Sequence, residues 1–530
     1  MSQSIPADSA GAGGSGALPI DSDKPLLETR HRGLLMAAVI MVAVCQFLDA
    51  TIANVALPHM RVGLGASSDS ITWVLTSFIM AGAIFTPMTG WLSERIGSRN
   101  LYLGATVLFL VSSAACGAAT SLPEMVVFRM IQGISTAFIG PMTQTIMFDI
   151  NPPSKQAQTM ATFGMIVMVA PISGPFLGGF LVEYLNWRWI YYVNLPIGVP
   201  ALVLLWWLLP SRQINRRRLD LTGLVWIAVG LGSLQLILDR GQQEDWFQSW
   251  EIIIESIVAL SALWVFVIHT RSTSHPLFNR QLFKNPNFLA ALAMMFVLGL
   301  AGVALSAVLP TMYQTIYNYP VLDSGLLMAP RGIGLIVTAQ LTVFLTKRID
   351  YRAVITIGFL IAAYSLWIMT QWSLDMDARL IVIASFVQGL GMGMMFGPIN
   401  LLAFATIDPQ LRPDGASLMA LIRNLGGSFG ISFIVTLLAR NQQVSHSDIA
   451  ANIKEDIIPG IDLLGALHQL PGAGSGVLQM IDAEVNRQAA MVAYLDNFYA
   501  MFWVLLAMAP LPFLLKKTPN LGHAPPPHFE

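Results

Sequence analysis

Asp49 and Arg129 are the residues of this chain whose types and placement best suit handling a proton, with Glu183, Asp239 and Glu255 near the span ends behind them. Asp49 sits in the middle of an apolar block, where a charge near the centre of a bilayer costs at least ~2.5–3.5 kcal/mol unless it has a partner. Burial disfavours an ionised carboxylate, and a neighbouring cation favours it. A carboxylate held between those influences can load and release a proton near neutral pH. A structural ion pair or a helix cap is the plainer use of the same residue. Arg129 matches it in depth. Asp49 lies ~22 Å along a helix begun near Leu34 at ~1.5 Å per residue, about 8 Å below the far edge of a ~30 Å apolar core. Arg129, counted from Pro123 in the opposite direction, lies at a depth of ~9 Å. Two more arginines, Arg331 and Arg423, fall inside apolar blocks with no obvious acidic partner in sequence. Each could attract an anionic substrate or support a half-helix end, and Asn400 joins them as a candidate substrate contact.

Other chemistries lack their residues. Cys45 and Cys116 both lie in apolar blocks, without CxxC spacing or a Cys/His cluster, and read as small packing residues. Neither a metal nor a cofactor is expected. The absence of GxxxxGK[ST] argues against an ATP-driven pump with its own motor. The eight histidines are scattered through tails and loops, and HExxH is missing, so a membrane-embedded enzyme is only the distant alternative. A formal net charge of −1 argues against a nucleic-acid partner, which would need a basic face.

The elements that must position these residues are membrane helices. Of 530 residues, 55% are hydrophobic and 11% charged, against about 25% charged in soluble domains. The apolar residues come in blocks long enough for the ~20 residues a spanning helix needs. Fourteen spans are predicted: 34–56, 71–92, 101–121, 124–147, 157–183, 191–210, 219–239, 250–269, 288–310, 324–346, 353–373, 378–405, 416–439 and 495–515. Helices are the expected form, because lipid offers no partner for free backbone groups. Lys and Arg concentrate in alternate connections, among them Arg95 and Arg99, Arg216 to Arg218, and Arg348 with Arg352. Those connections, and with them both termini, are expected in the cytoplasm. The fold class expected is an all-α polytopic membrane protein. Its divisions are a disordered cytoplasmic tail (1–33), a six-helix half (34–210), two linker helices with a cytoplasmic connection (211–287), a second six-helix half (288–515) and a short cytoplasmic tail (516–530). Within the second half, 440–494 is expected to be a long periplasmic loop, broken at Pro459-Gly460 and Pro471-Gly472. Val477 to Tyr494 could form an amphipathic helix in it.

An internal echo supports two related halves. Gln132-Gly133 is followed by Gly140-Pro141 in the fourth span, and Gln388-Gly389 by Gly397-Pro398 in the twelfth. Several motifs occur in order besides. They are Leu48-Asp49-Ala50-Thr51-Ile52-Ala53-Asn54-Val55-Ala56-Leu57-Pro58, then Gly90-Trp91-Leu92-Ser93-Glu94-Arg95-Ile96-Gly97-Ser98-Arg99, then Arg129-Met130-Ile131-Gln132-Gly133. Ala170-Pro171-Ile172-Ser173-Gly174-Pro175-Phe176-Leu177-Gly178-Gly179 follows, and after it Trp187-Arg188-Trp189-Ile190 with Asn194-Leu195-Pro196-Ile197-Gly198. Together they resemble the fourteen-span drug:proton antiporters of the major facilitator superfamily, over roughly residues 34–515. Glu94 and Ser98 depart from the usual Asp and basic residue of the loop motif.

The resemblance implies a major facilitator fold of two six-helix halves plus two additional central helices. It also implies that spans one and four are neighbours, so that Asp49 and Arg129 would couple proton movement. Gly90, Glu94, Arg95, Gly97 and Arg99 would latch the cytoplasmic ends in one state, while Gln132 and Gly133 belong to the same motif set. Pro171 and Pro175 each remove a helix donor, and Gly174, Gly178 and Gly179 permit close backbone approach, as a helix that bends or slides requires. Met294-Met295-Phe296, Met392 to Phe396 and Tyr313 to Tyr319 could line an adaptable apolar cavity. The function implied is proton-coupled export of hydrophobic or amphipathic small molecules from the bacterial inner membrane. Its partners would be protons, membrane lipid, a periplasmic adaptor (membrane fusion protein) and an outer-membrane channel. Transport of one specific metabolite on the same fold is the alternative.

Overall fold

The computed structural model describes residues 24–67, 70–210, 219–346, 348–452 and 473–514. Within them the chain is helical throughout, with no strand among the described residues. Thirteen helices are long and apolar enough to cross a membrane, and a fourteenth is added when one bent helix is counted as a single span. In chain order they are α1 (Arg32–Gly63), α2 (Ser70–Ile96), α3 (Ser98–Ala118), α4 (Leu122–Asp149), α5 (Pro153–Tyr184), α6 (Trp189–Leu208) and α7 (Leu221–Arg240). The series continues with α8 (Trp250–Ser272), α9 (Pro286–Thr315), α10 (Val321–Leu345), α11 (Tyr351–Met369), α12 (Ala378–Ala405), α13 (Arg412–Asn452) and α14 (Ala473–Met508).

Two glycine-led packings repeat between the halves, and they explain the doubled Gln-Gly pair. A Cβ on Gly133 of α4 would strike the carbonyl oxygen of Phe78 on α2. One on Gly389 of α12 would strike the carbonyl oxygen of Arg331 on α10. In each half a missing side chain thus lets two helices touch at backbone level. The pairing α1–α5 and its counterpart α9–α13 repeat likewise. Gly174 and Gly178 rest on Thr51 and Ile52, while Gly426 and Gly430 rest on Phe296 and Leu300.

α7 and α8 stand outside this two-fold pattern. Gly230 lets Leu263 seat between them, and α7 reaches the bundle through Gly232 against Ile84 and Asp239 accepting from Thr76 of α2. Along α8, Ile254, Ile257, Leu260, Trp264 and Ile268 are exposed, the pattern of a helix that faces lipid on most sides.

The stretch 440–494 differs from the loop expected of it. α13 runs on to Asn452 and α14 begins at Ala473, so helix occupies most of the stretch; both Pro-Gly breaks lie outside the described residues. Residues 441–452 are polar but contain neither Gly nor Pro. The drop in hydropathy marks where the helix leaves the apolar layer, not where it ends. The amphipathic segment is continuous with the last span. Asn441 donates to Asp496 at 3.2 Å and His446 meets Asp482 at 3.1 Å, tying the two arms into a hairpin. The tail is also partly ordered, with Leu27 N–H donating to Asp149 O at the end of α4 (2.9 Å).

Candidate functional site: a buried carboxylate–guanidinium centre

α1 and α4 run in opposite directions, and the depth match between Asp49 and Arg129 closes into contact. Arg129 Nη1 donates to Asp49 Oδ2 at 2.7 Å, with both side chains fully buried. The pair is not alone. Gln132, one turn along α4, accepts from Arg129 Nη1 at 2.7 Å and donates to Asp49 Oδ1 at 3.1 Å. Asn194 at the start of α6 donates to the same Oδ1 at 3.0 Å. Ser113 of α3 receives both amides, at 2.8 and 3.3 Å. Arg129 Nε donates to the Val74 carbonyl of α2 at 3.1 Å. Its remaining face lies over the Phe78 ring at 4.0 Å, with Tyr191 at 5.6 Å. Those ring faces cover Nη2, which has no hydrogen-bond acceptor. Five helices therefore meet in one network: α4 and α6 donate to the carboxylate of α1, while α2 and α3 accept from its partners, and the charge is matched group by group as a buried site requires.

The α5 motif reaches this centre from the other side. α5 bends by 42° between Pro171 and Phe176. Pro175 has no N–H to give the Pro171 carbonyl one turn before it. Thr51 Oγ1 of α1 donates to that freed carbonyl at 3.1 Å. The bend of α5 is thereby fastened two residues from Asp49. Gly174 and Gly178 are buried in the same contact, and Gly179 is half-buried beside them.

The loop motif joins the halves at one residue and its own half at another. Gly90 lies under the carboxylate of Asp414 on α13, where any Cβ would collide. Arg412 of the same helix approaches Asp149 of α4 at 3.4 Å and lies over Phe148 at 5.3 Å. Gly97, at φ 89°, makes the reversal between α2 and α3 that an L side chain would strain. Glu94 sits on the last turn of α2, next to Arg95, whose guanidinium lies over Trp91 at 5.5 Å. Arg99 instead donates from Nη2 to the Trp206 carbonyl of α6 at 2.5 Å, within its own half.

Of the three candidate substrate contacts, two come together. Asn400 and Arg423 line a cavity of about 10 Å³ at the meeting of the halves, with Phe47, Gln144, Phe163 and Met295. That is room for about one water. Asn400 accepts from Gln144 of α4 across the interface, and Arg423 lies over Phe47 at 5.4 Å. Arg331 is elsewhere. It is buried between α9, α10 and α12, donating to Ser306 Oγ at 3.0 Å and the Gly302 carbonyl at 3.2 Å, with Met392 Sδ at 3.0 Å. Asn194, Ser113, Gln144 and Asp414 were not singled out by sequence reasoning. Gln144 and Asn400 had a readable signal, since they lie four residues after Gly140 and three after Gly397, the glycines of the two Gly-Pro pairs.

The profile of the Major Facilitator Superfamily matches residues 39–431. The chain is 32% identical over 513 residues to "Multidrug export protein EmrB" of Escherichia coli K12, covering 95% of this chain and 99% of that protein. It is 34% identical over 426 residues to the Haemophilus influenzae protein of that name, covering 79% and 83%. It is 32% identical over 482 residues to "Fatty acid resistance protein FarB" of Neisseria gonorrhoeae, covering 90% and 94%. Among solved structures, the human organic anion transporter MFSD10 superposes with a TM-score of 0.56 at 14% identity, covering 89% of this chain and 99% of that one. The proton:xylose symporter XylE superposes with a TM-score of 0.55 at 12% identity, with the same coverage. These two show the fold alone. With the family profile spanning most of the helices and a near full-length relative resembling it at 32% identity, the chain belongs to the major facilitator superfamily of membrane transporters.

Proposed function

We propose that this chain exports hydrophobic or amphipathic small molecules in exchange for protons, by alternating access, and that Asp49 is the proton carrier tuned by Arg129. The observation that carries the reading is the dry Asp49–Arg129 centre, held by five helices. A proton on Asp49 removes half of that ion pair. The network around it then differs in strength between the protonated and ionised forms, which is the differential energy a coupled cycle needs. The multidrug export proteins among its relatives support the direction and the substrate class. Asn400, Arg423 and Gln144 would meet the substrate where the halves part, and the Gly90–Asp414 contact would close the cytoplasmic side.

The bacterial relatives support an inner-membrane location, and the Lys and Arg distribution supports cytoplasmic termini. After replacement of Cys45 and Cys116 by Ala, a Ser447→Cys variant should label with an impermeant thiol reagent in intact cells, and Ser272→Cys should not. Labelling of both positions would mean that the span count between the halves is off by one, and labelling of the second alone would reverse the orientation.

The hairpin of α13 and α14 then stands on the periplasmic side. There it offers a surface for a periplasmic adaptor and, through it, an outer-membrane channel. Everted vesicles test transport and partnership together. Addition of a lipophilic cation should dissipate an imposed pH gradient in vesicles that hold the chain and not in vesicles without it. Removal of 445–482 should leave that dissipation intact while abolishing resistance in cells. Loss of both activities to the same degree would assign the hairpin to transport itself.

A further inference from the structure

Arg99 ends the loop motif, yet its guanidinium points into a groove on the outer, lipid-facing side of the bundle. The groove has a volume of about 600 Å³ and runs between α3 and α6. Its floor is an i, i+4 stripe of α3, and Gly104 leaves a notch in it: a Cβ there would meet no atom within 4 Å. Val107 and Val111 continue the stripe with 41% and 61% exposure, and Trp206 forms the opposite wall. From Arg99 to Val111 is twelve residues, or ~18 Å of helix. That is slightly more than the ~15 Å that one leaflet contributes to the apolar core. Among the described residues polar chemistry is confined to one end, beside Asn100, where Arg99 spends one of its five donors on the Trp206 carbonyl and its buried Nε has no acceptor.

An apolar slot one leaflet deep, closed at the water-facing end by a cation with donors to spare, matches one class of molecule. We propose that the groove holds an anionic phospholipid of the cytoplasmic leaflet, its acyl chain along Gly104, Val107 and Val111 and its phosphate on Arg99. The inference rests on the orientation proposed above, which the Ser272 and Ser447 labelling reads independently. Trp206 fits the assignment, because an indole with 61% exposure near the basic end of its helix sits at headgroup depth. Basic pockets between helices on the cytoplasmic side hold such headgroups by charge and the chain by apolar contact. The lipid would fasten α3 to α6, the helices that bring Ser113 and Asn194 to the Asp49 network.

Native mass spectrometry of the full chain in detergent tests this, with phosphatidylglycerol or phosphatidylethanolamine added in equal amounts. The wild type should retain phosphatidylglycerol at least about five-fold over phosphatidylethanolamine. Arg99→Gln should remove the preference, and Gly104→Leu should remove the bound lipid while keeping the guanidinium. Gly104 opens onto empty space, so the added side chain fills the groove without displacing protein; Val107→Trp serves if that variant fails to fold. Equal retention of the two lipids by the wild type, or unchanged retention in the filled variants, overturns the proposal. Displacement of the lipid by a lipophilic export substrate would make the groove a substrate entry and overturn it as well. So would a dimer peak that the filled variants abolish, which would make it a contact between copies.

Discussion

Asp49→Asn should leave the protein folded and able to bind substrate, and should abolish transport driven by a pH gradient. The geometry explains why this substitution is tolerated. The Asn oxygen can keep accepting from Arg129 Nη1 in the place of Oδ2. The new NH2 would then face two donors, Asn194 Nδ2 and Gln132 Nε2, in the place of Oδ1. Rotation of the Asn194 amide removes the first clash, because its Oδ1 is buried with no partner among the described residues and becomes the acceptor. Gln132 gives up its bond to residue 49 and keeps the one to Ser113 at 2.8 Å. What disappears is the titratable oxygen pair. Substrate-induced proton release from detergent-solubilised protein should fall from a clear signal in the wild type to baseline in the variant. Release of undiminished size would remove Asp49 from the mechanism and direct attention to Glu183, Asp239 or Glu255.

Arg129→Ala should be more damaging, in stability and coupling alike. It removes the cation opposite Asp49, the donor to the Val74 carbonyl and the group that fills the space over Phe78. Breaking one side of a buried pair costs roughly 3–5 kcal/mol, because the other charge is left uncompensated. A fall of several degrees in the thermal midpoint in detergent is expected, together with loss of gradient-driven transport. The double variant Arg129→Ala with Asp49→Asn separates the causes. If the orphaned carboxylate is the main cost, the double variant should regain a large part of the lost midpoint, a non-additivity that neighbours in one network show. A single variant within about one degree of wild type would mean that the ion pair contributes little to the fold.

The legible parts of this molecule were those set by the membrane. Apolar block length is dictated by bilayer thickness, so the spans could be counted before any contact was known. Asp49 and Arg129 stood out for the same reason, since an ion is conspicuous where nearly everything else is apolar. Their helices being neighbours was not in that arithmetic; it came from the resemblance. What stayed hidden were groups whose types are ordinary at the ends of spans. Asn194 and Asp414 lie near water in sequence and acquire their roles only when α6 and α13 pack. The hairpin was missed because hydropathy measures where lipid ends, whereas helix length is set by backbone propensity and by a partner helix. Arg99 shows the limit of motif logic: it belongs to a recognisable run, yet its side chain serves the opposite face from Gly90.

The length of α13 has a mechanical consequence. A single helix of 41 residues is a rod ~60 Å long. Near one end it holds Asp414 against Gly90, and its far end is clasped to α14 by the His446–Asp482 pair. Such a rod acts as a lever: a tilt of about 10° around the latched end would sweep the tip by ~10 Å over a ~60 Å arm. On the proposed orientation, release of the Gly90–Asp414 latch would be felt outside the membrane as a displacement large enough for a docked protein to register. An adaptor bound as proposed above would receive the phase of the cycle with no separate sensor. Spin labels on Ser447 and on α8 would read that stroke as a distance change between latched and unlatched states. A constant distance would show that the rod bends instead of swinging.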